Sequence, residues 1–161
     1  MKQFLPILFL MLMILGCRFK DKNSKTLPIF NLLLIDSTTI FNTTQIPEGN
    51  PIIFIYFSPD CENCQQETEN LLSQLSDFKK TQFYFFTYDP MNRLRNFYYR
   101  YNFSKYSNIT VGRDYNFSFP RYYQVNTTPY MAIYDRHKQL FAIFDGVPEV
   151  NKIVEIIKKM D

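Results

Sequence analysis

Residues 52–64 read Ile52-Ile53-Phe54-Ile55-Tyr56-Phe57-Ser58-Pro59-Asp60-Cys61-Glu62-Asn63-Cys64, and this stretch decides the fold. Six apolar residues in an unbroken run predict a strand buried on both faces of a sheet. Ser58-Pro59-Asp60 breaks the run, and Pro59 lifts Cys61 towards the surface. From Cys61 to Lys80 the pattern turns helical, with Leu71, Leu72, Leu75 and Phe78 at helical spacing. Two cysteines thus sit on a strand-to-helix corner. The unpaired N–H groups and dipole of a helix N-terminus favour an anion by about 0.3–1 kcal/mol. A thiolate is such an anion, and it is the nucleophile of disulfide exchange. Cys64, one turn further in, is placed to resolve a mixed disulfide formed at Cys61.

Other uses of a Cys-x-x-Cys pair fit less well. A zinc ribbon needs a second pair of Cys or His ligands, and the chain holds one histidine, His137, in a polar turn. The same shortage counts against copper, so no metal and no cofactor are expected. A static structural disulfide has little reason to occupy this corner.

Outward from the pair, the order of elements is that of an α/β domain. Ile29 to Ile35 and Thr38 to Ile46 read as a hairpin around Asp36-Ser37. Beyond the first helix, Gln82 to Tyr88 is an aromatic strand, and Asp89-Pro90 opens a helix expected to reach Phe103. Ile109 to Gly112 is a short strand, followed by an aromatic segment to Tyr123 of helical character. Pro129 to Tyr134 and Gln139 to Phe144 form two strands around a polar turn, and Pro148 opens a final helix. The chain has 161 residues, 46% hydrophobic and 20% charged. That is one domain with an extension, able to bury roughly 68–70% of its unfolded surface without a metal or disulfide staple.

The stretch from Ile53 to Glu67 resembles the active-site strand and helix of thioredoxin-fold proteins. Downstream, Tyr123-Gln124-Val125-Asn126-Thr127-Thr128-Pro129-Tyr130-Met131-Ala132-Ile133-Tyr134-Asp135 resembles that fold's cis-proline strand. The likeness covers residues 29–161 and is closest to the extracytoplasmic, membrane-anchored TlpA/redoxin branch. It implies a central mixed β-sheet flanked by helices, an N-terminal β-hairpin, and an inserted strand-helix unit between the cysteines and the proline. It also implies roles: Cys61 attacks, Cys64 resolves, and the Thr128 backbone before a cis Pro129 pairs with an extended substrate chain. Glu67 matches the acidic residue that related anchored reductases hold under the active site. Two features depart from thioredoxins: no Trp precedes Cys61, and Ile55 stands where they keep a buried acid.

The N-terminus carries an address of its own. Lys2 precedes an apolar run from Phe4 to Leu15, long enough for a signal-peptide core and short of the about 20 residues of a membrane span. The run ends at Ile14-Leu15-Gly16-Cys17, which resembles the lipobox of bacterial lipoproteins. The resemblance implies a signal peptide over residues 1–16, a lipidated Cys17, a solvated tether over 17–28 and the domain over 29–161. The protein is then expected outside the cytoplasm, lipid-anchored, where disulfides persist.

Charge is unevenly spread. Residues 58–79 hold five acids against Lys79, whereas residues 91–123 hold six cations against Asp114 among many Tyr and Phe. Exposed aromatics with Arg can bind single-stranded nucleic acid, but an exported chain makes that partner unexpected. Core packing with exposed Arg is the simpler expectation. Asp60, Glu62 and Glu67 crowd the cysteines with negative charge, which opposes a thiolate and predicts a reductant. The expected partners are a protein dithiol or disulfide substrate and an upstream redox protein. The rival readings are a redox-inert module on the same scaffold and a thiol peroxidase. The peroxidase would want Thr three residues before the cysteine, where Ser58 stands.

Overall fold

A computed structural model of the chain describes residues 25–78 and 80–160. Cys17 and the rest of the N-terminal address lie outside the described residues. The elements are β1 (Asn31–Leu34), β2 (Ile40–Asn42), β3 (Ile52–Tyr56), α1 (Glu62–Ser73), β4 (Gln82–Thr87), α2 (Met91–Arg100), β5 (Ile109–Arg113), α3 (Ser118–Tyr123), β6 (Tyr130–Tyr134), β7 (Leu140–Asp145) and α4 (Val150–Lys158).

The strands form one mixed sheet in the order β2-β1-β5-β4-β3-β6-β7. β3 pairs in parallel with β4, and β4 with β5, while β6 runs antiparallel to β3. This is the thioredoxin-like α/β arrangement, with the N-terminal hairpin β1-β2 and, between the cysteines and Pro129, the strand-helix unit β4-α2 at the place the resemblance implied. The β3–β6 register sets Tyr56 opposite Tyr130. The end of β3 and the start of β6 therefore meet, which is how Cys61 comes beside Thr128, 67 residues away in sequence.

The unbroken apolar run of β3 has a direct cause. Ile53, Ile55 and Phe57 face a core shared with Leu71, Leu94, Phe97, Ile153 and Ile157 of the helices α1, α2 and α4. Ile52, Phe54 and Tyr56 face a second core with Phe30, Leu32, Phe119 and Tyr123. Phe54 alone meets Phe30, Tyr84, Phe86, Phe119 and Tyr134 at centroid distances of 5.2–6.1 Å.

Several boundaries differ from the sequence expectation, each for a local reason. β2 stops at Asn42, whose side chain caps a 3-10 turn at Thr43–Gln45 with Gln45 reaching back to close the capping box. α1 ends at Ser73, and a 3-10 turn at Leu75–Asp77 follows. Phe78 still enters the same core, so the apolar spacing outlasts the helix. α2 ends at Arg100, followed by Asn102 in the left-handed region and a 3-10 turn at Phe103–Lys105. The packed domain also starts earlier than residue 29. Thr26 bridges Gln139, and Leu27 is buried with its N–H donating to the Lys138 carbonyl at 3.0 Å. An apolar side chain at 27 ties down what composition alone reads as tether.

Candidate active site

α1 begins just beyond the C-terminal end of β3, an interior strand of the sheet. Cys61 is its N-cap residue, in extended conformation, with its sulfur accepting the Cys64 N–H at 3.3 Å. The thiol takes the capping place that Ser or Asp usually fills, so one orphan donor of the helix points at Sγ. From the other side, Cys61 Sγ donates to the Thr128 carbonyl at 3.6 Å. The Thr128–Pro129 peptide bond is cis. Both cysteines are free thiols, Cys61 half-buried and Cys64 buried. Burial pushes the Cys64 thiol up to about 12, with its hydrogen bond to Cys61 adding to the effect.

Glu67 lies one turn beyond Cys64 on the buried face of α1, together with Thr68 and Leu71. It is 1% exposed, and neither carboxylate oxygen has a hydrogen-bond partner among the described residues. Burial alone pushes its pKa up to about 8. A carboxyl group so placed is mostly protonated, and so neutral, at pH 7.

The structure changes the charge balance that the sequence suggests. Burial removes the Glu67 charge near neutral pH. Asp60 is paired with Arg93 of α2, Nη1 to Oδ2 at 3.1 Å, and the same Nη1 meets Asp89 at 3.6 Å. No cation within residues 58–64 signals this. Arg93 arrives from α2, and nothing in the sequence placed it beside Asp60. Part of the basic, aromatic stretch serves the fold. Phe97, Phe103, Phe119 and Tyr123 are buried, and Arg95 donates to the Ile35 carbonyl and to Ser37 of the hairpin. Among the described residues, no group of His, Cys, Asp and Glu is arranged to hold a metal.

Residues 43–161 match the family model described as Thioredoxin-like domain. No curated protein matches the chain. Among solved structures, a candidate thiol:disulfide interchange protein DsbE from Chlorobium tepidum superposes with a TM-score of 0.71 at 18% identity, covering 85% of this chain and 96% of that one. A secreted Mycobacterium tuberculosis disulfide oxidoreductase, homologous to E. coli DsbE, gives 0.67 at 15% identity over 81% and 95%. A peroxiredoxin-like protein from Aquifex aeolicus gives 0.68 at 15% identity over 86% of each chain. At these identities the likeness establishes the fold.

Proposed function

The chain belongs to the thioredoxin-like domain family, and from that premise we propose that it is a thiol–disulfide oxidoreductase working through Cys61 and Cys64. The observation that carries the reading is the position of Cys61 Sγ, between the Cys64 N–H at the helix start and the Thr128 carbonyl before Pro129.

Cys61, as thiolate, attacks one sulfur of a partner disulfide. A bond forms between the two proteins, the partner's own S–S bond breaks, and its second sulfur leaves with the electron pair. The Thr128 backbone holds the partner chain extended beside Sγ, and Pro129 keeps that backbone turned towards the cysteines. Cys64 then gives its proton to the minor ionised fraction of Glu67, which grows as pH rises towards 8, and attacks Cys61 Sγ. The Cys61–Cys64 disulfide forms, the partner departs as a dithiol after taking up protons, and an upstream dithiol protein restores the pair by the reverse exchange.

The direction is reductive in this proposal. The partners of Cys61 Sγ are one backbone N–H and one backbone carbonyl, in place of a cationic side chain. The reduced form then lacks the extra stabilisation that makes DsbA a strong oxidant. The setting is extracytoplasmic and lipid-anchored at Cys17, supported by Ile14-Leu15-Gly16-Cys17. Among the described residues, no helix is long and apolar enough to cross a membrane.

Trapping tests the proposal. Cys64→Ser removes the resolving thiol, so mixed disulfides should accumulate on Cys61, and mass spectrometry would name the captured chains. Absence of any adduct under oxidising and reducing conditions alike would overturn it.

A further inference from the structure

A small cleft of about 150 Å³, part polar and part apolar, opens between α1 and α2 next to the loop that leads into Cys61. Pro59 and Asp60, the two residues before Cys61, form one wall, Gln65, Arg93, Asn96 and Arg100 supply the other polar groups, and Phe97 gives it an apolar side. Thr128 lies against the Cys61 sulfur, and the cleft is lined by the two residues that immediately precede Cys61 in the chain. Drug-sized ligands occupy about 300–1,000 Å³, so the cleft has room for little more than one side chain.

Its charge selects which one. α2 contributes Arg93, Arg95 and Arg100 and no acid. Arg95 is committed to the hairpin, through Ile35 and Ser37. Arg93 meets both Asp60 and Asp89 through Nη1 alone, leaving Nε and Nη2 outside those ion pairs. Arg100 makes no ion pair among the described residues and sits beside the Tyr101 hydroxyl, which donates to Glu69 at 3.2 Å. Gln65 is also held, its Nε2 donating to the Pro59 carbonyl at 2.9 Å, so the wall nearest Cys61 is braced.

We infer that this cleft is a specificity subsite taking a carboxylate side chain, Asp or Glu, from the substrate chain within a few residues of its reacting cysteine. The inference rests on the dithiol reading above. Arg100, with the free side of Arg93, receives the carboxylate, and Asn96 and Gln65 offer amide groups around it. Asp60 and Asp89 draw Arg93 to the mouth of the cleft before substrate arrives.

Disulfide-linked model peptides test this on the full chain, with Glu or Gln at each of three positions on either side of the cysteine. At low salt, kcat/KM for the Glu peptide should exceed that for its Gln counterpart by about fivefold at one or more positions, the upper range for an exposed ion pair. Arg100→Gln should bring that ratio towards one, and Arg100→Lys should restore part of it. Salt at about 1 M, where the Debye length is about 3 Å, should also flatten it. Equal rates for Glu and Gln at every position, or slower Glu peptides, would overturn the subsite and leave the dithiol chemistry standing. No exchange with any peptide would overturn the dithiol chemistry and the subsite with it.

Discussion

Replacing Glu67 by Gln isolates the cost of a buried carboxylate. In the native protein the group is 1% exposed, has no hydrogen-bond partner for either oxygen among the described residues, and titrates at about 8, against an ordinary value of 4.5. The unfolded chain loses this proton near 4.5 while the native state keeps it to about 8. Between those values the native state binds more protons, so stability falls as pH rises. Below pH 4.5 the contribution is intact; above pH 8 it is lost in full. The separation is about 3.5 pH units at about 1.36 kcal/mol each, or at most about 5 kcal/mol. Gln has nearly the same shape and no such titration. Urea unfolding of the reduced protein from pH 4 to pH 9 should show the variant gaining on the natural chain by about 1.4 kcal/mol per pH unit between those limits, then levelling. The same substitution should slow resolution of a mixed disulfide at Cys64, read in a stopped-flow assay. Parallel stability profiles for the two proteins would mean that Glu67 titrates as a solvated carboxylate, and would remove it from the proton path.

Three further outcomes are expected. Gly112→Ala should destabilise the fold by about 1–3 kcal/mol, because a Cβ there would lie 2.9 Å from Leu32 Cβ and 3.3 Å from the Leu33 carbonyl oxygen; an unchanged thermal midpoint would contradict the close β1–β5 approach. The midpoint potential, measured against glutathione or dithiothreitol buffers, should lie below about −180 mV, whereas a value near −120 mV would identify an oxidant. Cys17→Ala should leave an unprocessed precursor or a soluble protein, and fractionation showing normal lipid labelling in that variant would refute the lipobox reading.

The parts of the fold that were legible are those where one local signal has one physical meaning. β3 could be read because a strand buried on both faces has no polar position, and each of its residues from Ile52 to Tyr56 is indeed buried. Cys61 and Cys64 could be read because a strand-to-helix corner leaves donors unpaired. Element ends were less legible, since apolar spacing marks which side chains reach the core and says nothing of where helical hydrogen bonding stops. Leu75 and Phe78 pack against the same core as Leu71 although the α-helix ends at Ser73. Arg93 was not legible at all as a neighbour of Asp60, because the contact depends on how an inserted helix lies across the sheet.

That contact changes the reason for the predicted poise more than the poise itself. Sequence proximity counts three carboxylates around the cysteines, and a negative field from all three would oppose a thiolate. In the folded protein, burial holds Glu67 neutral near pH 7, and Arg93 offsets Asp60. Glu62 remains, on the exposed side of the first turn. What acts on Cys61 Sγ at close range is then the backbone: an N–H from Cys64 on one side and a carbonyl from Thr128 on the other. Such fixed dipoles are screened by salt far less than exposed side-chain charges are. The midpoint potential should accordingly move little with ionic strength. A steep salt dependence would return control of the pair to Asp60, Glu62 and Arg93.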